Sequence, residues 1–204
     1  MLCPVSLSVD TLAASPLPIS ISLLREHAAT DGTDSDVLLT QNLLAAIAWA
    51  EGAMRRTVFS RRHVWTLKYF PVNQVIHLPR GKTQSITSIS YTLGGSVQTL
   101  LGPSSSPAGT SYQELLSGDQ GAIIRPVQGG SWPSVDIEAV APVQIEFVAG
   151  WLDAEIPKNV IQAILYAAED YFDIRGSVDL AQAGANLTAR QLLVSPYRIH
   201  RWYS

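Results

Sequence analysis

A strand, a tight turn and a long amphipathic helix follow one another between residues 143 and 175, and this stretch constrains the fold more than any other. Its first part alternates apolar with polar side chains, the period-two pattern of a half-buried strand, with apolar positions at Val143, Ile145 and Phe147. Gly150 then breaks the run, and Pro157 takes the first position of the next helix, where a missing N–H costs nothing. The sequence therefore predicts a strand–turn–helix unit around which the fold is organised.

After Pro157 the apolar residues recur at steps of three and four, which predicts the main core helix, about five turns long at ~3.6 residues per turn. These apolar residues are Val160, Ile161, Ile164, Leu165, Ala168, Tyr171 and Phe172. A carboxylate run takes the opposite side, and such a run is most often the solvated face of a helix: Glu169, Asp170 and Asp173. Gly176 is the predicted end of this helix.

Two further helices are predicted in the first sixty residues. A short helix covers Ile19–Ala29 and a long one covers Val37–Val58. The long helix has Arg55 and Arg56 in its predicted last turn, where positive charge suits the helix dipole. Residues 1–18 contain three prolines and are predicted to form an extended arm.

Between residues 59 and 148 the pattern changes to short alternating strands separated by turns. The predicted strands are His63–Phe70, Gln74–Leu78, Ser85–Leu93, Ser96–Leu101, Ser111–Leu116 and Ala122–Pro126, before the strand at Val143 closes the sheet. Gly94-Gly95 between two of these strands is a hairpin signal. Beyond the core helix, Ser177–Gly184 is predicted as a linker and Thr188–Leu193 as a short helix that Pro196 ends.

These elements predict an α+β fold, namely a helical bundle of two long and two short helices with an inserted antiparallel β region. We expect a single domain over residues 1–204. Its parts are an extended arm, helices, the β region, helices and a C-terminal tail, at 1–18, 19–58, 59–148, 156–194 and 195–204.

Composition narrows the classes of function. With 15% charged and 47% hydrophobic residues, the chain is typical of a packed globular protein. Its net charge of −3 argues against a general nucleic-acid coat, although eleven of its fourteen basic residues are Arg, which suits interfaces. The single cysteine, Cys3, excludes an internal disulfide and a cysteine-based zinc site. No apolar run approaches the ~20 residues of a membrane span, and no basic residue precedes Arg25, so we expect neither a membrane anchor nor a secretory signal.

No group of residues meets the standard of an active site, so we expect no enzymatic activity, no cofactor and no metal. Gly81-Lys82-Thr83 imitates the end of a phosphate-binding loop, but a predicted strand follows it where that motif requires a helix. The four histidines are scattered and include no helical metal-binding pair: His27, His63, His77 and His200.

Two basic segments are candidates for contacts with other molecules. The first is the cluster Arg55, Arg56, Arg61, Arg62 and His63, which suits DNA or an acidic protein surface. A helix C-terminus followed by a solvated loop explains this cluster equally well. The second is the closing YRIHRWYS, whose Trp, Tyr and Arg residues are typical of interface hot spots and lack an evident way to be buried. The alternative, that Trp202 folds back onto its own core, stays open.

The order of the short motifs resembles that of the phage head–tail connector (adaptor) family, which is gp6-like, and especially its longer phiE125 gp8-like branch. The resemblance extends over residues 19–203. It rests on LPRGKTQSITSISY, the SWP turn at residues 131–133, VQIEFVAGW, IPKNVIQAILYAAEDYFDIR and SPYRIHRWYS. The N-terminal arm and the polar loop at 102–110 depart from the shorter members, and we hypothesise that this loop faces the tail.

The resemblance implies a structural protein of the virion neck, made in the bacterial cytoplasm and assembled at the head–tail interface. Its copies would form a ring, generally dodecameric, that docks under the portal protein, extends the DNA channel and receives a tail or stopper protein. Duplex DNA would pass through this channel without sequence-specific binding. The implied portal-binding residues are Tyr197, Arg198, Ile199, His200, Arg201, Trp202 and Tyr203. The candidates for inter-subunit or channel contacts are Arg55, Arg56, Arg61, Arg62, Glu169, Asp170 and Asp173.

Three other functions remain open on the sequence. A tail-completion or tail-terminator protein would also form a ring but would bind the tail tube. A small hydrolase would need a Ser/His/Asp set that the motifs do not reveal. A ligand-binding β module would need exposed aromatic residues such as Trp65 and Tyr69, for which core packing under the long helix is the competing prediction.

Overall fold

The computed structural model contains helices together with antiparallel sheets, which confirms the predicted α+β fold class. It divides into two compact units, a β unit formed by residues 1–11 and 60–150 and a helical unit formed by residues 12–59 and 151–204. The prediction of a single domain stays a prediction, and each unit is described by itself. The structure describes residues 4–10, 19–28, 36–71, 75–100, 102, 112–116, 121–173 and 180–199.

Four α-helices make up the described part of the helical unit. They are α1 (Ile21–His27), α2 (Asp36–Met54), α3 (Lys158–Asp173) and α4 (Leu180–Val194), with short 3-10 turns at Asp153–Glu155 and Ser195–Tyr197. The α1 helix begins at Ser20, whose hydroxyl accepts a hydrogen bond from the Leu23 N–H at 3.2 Å, as an N-cap does. Because α2 and α3 carry the predicted apolar stripes, they pack together and form the core of this unit.

The long helix ends four residues earlier than predicted. Arg55 adopts a left-handed conformation with φ 57°, and the Arg56 N–H donates to the Glu51 carbonyl at 3.2 Å. The Glu51 carboxylate accepts a hydrogen bond from the Val58 N–H at 2.9 Å and so satisfies the backbone of the turn. The predicted placement of Arg55 and Arg56 in the last helical turn is therefore wrong, since the helix ends at Met54.

The fourth helix is longer than predicted. The sequence analysis assigned residues 177–184 to a linker, whereas the structure has α-helix from Leu180. The bundle thus has three long helices and one short one among the described residues, rather than two of each. A glycine at position 184 lowers helix propensity by about 1 kcal/mol relative to Ala, but packing against α3 outweighs a local preference of that size.

By length and composition alone, helix α2 is long and apolar enough to cross a bilayer. The sequence had suggested that no segment of the chain reaches that length and hydrophobicity. Its apolar stripe is nevertheless buried inside the protein, at Leu39, Leu43, Ala46, Ile47, Ala50 and Met54. A core helix passes the same test, and a single such helix is weak evidence for a membrane span.

Eight strands form the described part of the β unit. A five-stranded antiparallel sheet has the order β1-β2-β8-β4-β5, and a three-stranded sheet has the order β3-β7-β6. Their bounds are β1 Pro4–Val9, β2 Arg61–Leu67, β3 Ile76–His77, β4 Thr83–Leu93, β5 Ser96–Thr99, β6 Tyr112–Leu115, β7 Ile123–Pro126 and β8 Val143–Ala149. The predicted β4–β5 hairpin across Gly94-Gly95 is present. Part of the predicted extended arm, in contrast, is the edge strand β1.

The two faces of the five-stranded sheet differ in polarity. In the antiparallel register of β2 and β8, His63 lies opposite Phe147 and Trp65 opposite Ile145, and this face is buried in the core of the β unit. Trp65 therefore packs in that core, which confirms core packing over the exposed aromatic residue of a ligand-binding module, and a position under the long helix stays a prediction. The other face carries mainly hydroxyl, amide and charged side chains, among them Ser8, Arg62, Ser88, Ser90, Gln144 and Glu146.

Gly121 lies where the loop before β7 packs closely against the segment that follows β3, so a substitution there tests this packing. Its φ is 98°, and a Cβ atom at this position would lie 2.5 Å from the Leu78 carbonyl oxygen. We expect Gly121→Ala to lower the free energy of unfolding by about 3 kcal/mol, because a left-handed strain of about 1–2 kcal/mol adds to a backbone clash. Chemical denaturation measures this difference.

Gly129→Ala is the matched control for that experiment. Gly129 also has a positive φ, 79°, but a Cβ atom there would meet no neighbour within 4 Å. We expect it to lose only about 1–2 kcal/mol, the strain alone. Equal losses for the two variants would contradict the packing described for Gly121.

Candidate partner-binding site

The C-terminal segment is anchored where helix α2 ends. The Ile199 N–H donates a hydrogen bond to the Met54 carbonyl at 2.9 Å, and the Ile199 side chain is buried. The Tyr197 ring meets the Trp151 ring edge-on, with centroids 6.1 Å apart and planes at 87°. Pro196 in the short turn that follows α4 stops that helix and directs the chain to this anchor.

Trp151 is the centre of the anchor, because it also receives a buried cation. The Arg56 guanidinium carbon lies 4.7 Å from the centroid of the Trp151 ring, and Arg56 is only 2% exposed. The backbone N–H of Trp151 donates to the Val58 carbonyl at 2.9 Å, which fixes the Trp151 backbone relative to the turn after α2. Arg56 thus supports the fold of the helical unit by stacking inside it, and its charge is withdrawn from solvent.

This geometry separates the predicted portal-binding residues into three groups. Tyr197 and Ile199 lie on the helical core, so they position the segment whatever else they contact. Arg198, between them, is exposed. The remaining predicted residues lie outside the described part of the chain: His200, Arg201, Trp202 and Tyr203.

The residues of the predicted basic cluster are divided between the two units. Arg55 and Arg56 belong to the helical unit, whereas Arg61, Arg62 and His63 belong to β2. Arg62 forms an ion pair with Glu146 of β8 on the polar face of the sheet. Each side chain is therefore placed by contacts within its own unit, and a joint surface of the five residues stays a prediction.

His63 is buried in the β unit as an uncharged residue. Its ring stacks on Phe147, with centroids 5.1 Å apart and planes at 14°. Burial, followed by the positive charges of Arg61 and Arg80, lowers the pKa of His63 from 6.5 to about 4, against a small opposing effect of Asp10. A neutral imidazole is what this apolar contact requires.

The carboxylates of helix α3 contact other helices of the unit. Asp170 accepts a hydrogen bond from Asn186 Nδ2 at 2.9 Å and lies 3.0 Å from Arg190 Nη1, both on α4. Glu169 lies 3.1 Å from His27 Nδ1 on α1. These two residues are not the fully solvated face that the pattern suggests, and the side chain of Asp173 lies outside the described part. Whether any of the three contacts a neighbouring copy stays a prediction.

Two residues with structural importance were missed by the sequence analysis. Arg190 is buried between Asp170 and the Trp49 ring, whose centroid is 5.2 Å from the guanidinium carbon, so it joins α4 to both α3 and α2. Trp151 was included only as the end of a motif. A signal was available for Trp151, since a large aromatic residue directly after a strand and beside Gly150 indicates packing at a chain reversal.

Among the described residues, no group of three or more His, Cys, Asp or Glu side chains is placed to hold a metal ion. The histidines of that part have separate surroundings, with His27 beside Glu169 in the helical unit, His63 buried in the β unit and His77 exposed on β3.

Solved structures share this fold, although no protein-family profile matches the sequence and no curated protein shows significant sequence similarity to it. A chain in the neck of an empty GTA particle, computed with C6 symmetry, is 21% identical with a TM-score of 0.77, and the match covers 98% of both chains. Chains from the virion of a native gene transfer agent particle and from its neck, computed with C12 symmetry, have TM-scores of 0.71 and 0.66. Their identities are 21% and 20%, and each match covers 100% of this chain and 98% of the other. The whole α+β fold is thus shared with these chains.

The pKa of His63 predicts a pH dependence of stability. Between pH 6.5 and about 4 the unfolded chain binds a proton that the folded chain does not, so the free energy of unfolding falls as the pH falls through this window. We expect His63→Gln to remove up to roughly 3 kcal/mol of that fall, at 1.36 kcal/mol per pKa unit. Urea denaturation at a series of pH values measures it.

His77→Gln removes an exposed histidine from the same unit and is the matched control. A His63→Gln protein whose stability falls between pH 6.5 and 4 as steeply as that of the unaltered protein would contradict the assignment of a neutral, buried His63.

The anchor predicts that Tyr197 protects the backbone of the residues beside it. Tyr197→Ala removes the ring contact with Trp151, worth about 1 kcal/mol, so we expect the Ile199 amide to exchange with solvent about fivefold faster. Hydrogen–deuterium exchange measures this rate. Leu192→Ala, an exposed position on α4, is the control and should leave Ile199 unchanged. Equal exchange in all three proteins would contradict the anchor.

Proposed function

We propose that this chain is a structural neck protein of a tailed phage or phage-like particle, and that it acts there as the head–tail adaptor. In this proposal its copies form a ring under the portal protein, extend the DNA channel and provide the surface to which a tail or stopper protein attaches. The protein is made in the bacterial cytoplasm and ends in the neck of the particle.

The observation that carries the proposal is the end-to-end likeness to chains of a gene transfer agent neck. The match covers 98% of both chains, so it includes the helical unit and the β unit together with their order along the sequence. Helical bundles and antiparallel sheets are common by themselves. A match over two such units in the same order along the chain is therefore stronger evidence than a match over one of them. The sixfold and twelvefold symmetries of those necks support the ring.

The charge distribution supports a channel through which DNA passes without being held. Several arginines of the described part are engaged within the chain: Arg25 with Asp36, Arg62 with Glu146 and Arg190 with Asp170. A protein that binds DNA strongly neutralises many phosphates with free Lys and Arg side chains. The net charge of −3 and this internal pairing favour weak, transient contact with duplex DNA.

The anchored C-terminal segment supports the proposal that the C-terminal residues of this chain bind the portal protein. Because Ile199 is fixed to the end of α2, the residues after it begin from a defined point on the helical unit. Arg198 is exposed beside that point and is available for a carboxylate on a partner. The structure therefore supplies a rigid support for a short binding segment.

The test is an affinity purification of the tagged protein from particle-producing cells, with the bound proteins identified by mass spectrometry. We expect the portal protein to dominate, and removal of residues 200–204 to lower its recovery at least tenfold. Arg198→Glu should lower it several-fold. Stopping after Ile199 keeps the buried anchor intact, whereas a deletion from Tyr197 would also damage the helical core.

Lys158→Glu is the matched control for Arg198→Glu, because it reverses an exposed charge in the same unit at the start of α3, where a negative charge suits the helix dipole. Recovery of tail-tube protein without portal would favour a tail-completion or terminator protein. If neither protein is recovered, the proposal of a neck protein is contradicted. A small hydrolase or a ligand-binding β module would then be the functions to test.

A further inference from the structure

Strand β5 is an edge of the five-stranded sheet, and no other strand of the described residues pairs with its outer side. Its four residues, Ser96–Thr99, are all exposed and carry no charge, and its register with β4 continues without a bulge. Natural proteins usually protect an exposed edge with Lys, Pro, a bulge or a covering element, since such an edge readily pairs with another strand. An edge without these protections is a candidate interface.

The backbone of β5 shows which groups point outwards. The Leu100 N–H donates to the Ile89 carbonyl of β4 at 2.8 Å, and alternation along the strand then directs the N–H and C=O groups of Val97 and Thr99 away from β4. The Val97 side chain is 72% exposed. The edge thus presents four backbone groups together with a β-branched side chain.

The loop that precedes β8 is held at the tip of the β4–β5 hairpin and on the β8 side of β4, away from this edge. The Gly95 N–H donates to the Asp136 carboxylate at 2.8 Å, and the Asp136 N–H donates to the Thr92 carbonyl at 2.9 Å. This loop carries Ile137 and Val140, of which Val140 is 95% exposed. We call β5, with the exposed side chain of Val97, the hairpin surface.

We propose that the hairpin surface binds a second copy of this chain, with β5 pairing along the β1 edge of the neighbouring copy. This inference rests on the proposed function, because it identifies the contact that would join copies into the ring. The two edges lie at opposite sides of the same sheet. Each copy can therefore pair its β5 edge with one neighbour and its β1 edge with another. Such a head-to-tail contact generates a closed ring or a filament, not an isolated dimer.

The β1 edge is regular only from Ser6 to Val9, because its register with β2 shifts between Pro4 and Ser6, and this regular part is as long as β5. The Asp10 N–H donates to the Arg62 carbonyl at 3.1 Å, so alternation directs the backbone groups of Leu7 and Val9 away from β2. Since all neighbours in the five-stranded sheet are antiparallel, its first and fifth strands run in the same direction. Copies related by a rotation axis along the strands therefore join β5 to β1 in parallel.

The strength of one such contact is modest. Four outward-facing backbone groups on β5 form at most about four hydrogen bonds, each worth about 0.5–1.5 kcal/mol net. Association costs about 4–15 kcal/mol in lost translational and rotational freedom, so this edge, with Val97 as its apolar side chain, holds two free copies together only weakly. We therefore expect a monomer in dilute solution and edge pairing in the assembled particle.

Cysteine cross-linking in particles tests the pairing directly. In a continued sheet, Val97 and Thr99 share the polar face with Ser6 and Ser8, since Val97 lies opposite Thr92 and Ser8 opposite Val64. Strands about 4.8 Å apart bring their Cα atoms within disulfide range. With Cys3 replaced by Ser, we expect Val97→Cys combined with Ser6→Cys or Ser8→Cys to give a ladder of covalent oligomers on oxidation.

Gln98→Cys combined with Ser8→Cys is the matched control, because Gln98 points to the opposite face of the sheet. A second test is Val97→Pro, which removes an outward N–H, against Val97→Thr, which keeps it. We expect at least a tenfold loss of incorporation into particles for the proline variant and none for the threonine variant. Circular dichroism and the melting temperature establish that both variants fold.

The outcomes separate this inference from the proposed function. Normal recovery of portal protein with no cross-linked ladder, and full incorporation of the proline variant, would overturn the pairing and leave the neck function standing. A cross-link from Val97→Cys to a different particle protein would show that the hairpin surface binds another partner and would overturn the second-copy assignment. Absence of both portal recovery and particle incorporation for the unaltered protein would overturn the neck function, and the inference with it.

Discussion

The helical unit depends on the chain reversal at the end of α2, where Arg56 stacks on Trp151. A buried guanidinium is costly unless its charge is compensated, and the indole face supplies part of that compensation together with apolar packing. In the same region, an isolated β-bridge joins the backbones of Phe59 and Trp151. These are the residues at which the chain leaves and re-enters the helical unit. The chain thus leaves and re-enters the helical unit at one point of its backbone. The C-terminal segment uses the same point as its support.

The sequence predicted the helices and strands whose apolar residues recur with the period of that secondary structure. Helices α2 and α3 follow from apolar stripes, β8 follows from strict alternation, and the β4–β5 hairpin follows from Gly94-Gly95. Helix α4 and strand β1 were missed or shortened because tertiary contacts stabilise them. Arg190 ties α4 to α3, and β1 is held by its pairing with β2, neither of which has a local signal. The candidate site was predicted in part: the last residues were singled out, but the support under Tyr197 and Ile199 depends on Trp151 and Met54, which are distant in sequence.

The arginines show that a dense run of charges in sequence does not reveal what each charge contacts in the fold. Five basic residues lie within nine positions, from Arg55 to His63, and this density suggested a common patch. In the structure one stacks on an indole, one pairs across the sheet with Glu146, and the histidine is kept neutral by burial. The acidic run on α3 likewise contacts its own helices. Charges that already have partners inside the chain are less available for contacts with phosphates.

The weakness of the proposed edge contact becomes useful when it is combined with the C-terminal segment. A free copy with one weak edge gains little by pairing, and this protects the cell from filaments that an open head-to-tail contact would otherwise produce. Once several copies are held side by side on a symmetric partner, each edge meets its neighbour at an effective concentration far above that in solution, and the same hydrogen bonds then suffice to close the ring. Under this account the partner sets the number of subunits, because the edge itself specifies only direction and register. The sequence of Ser96–Thr99, polar and uncharged with a single apolar residue, has the low intrinsic affinity that such template-dependent assembly requires.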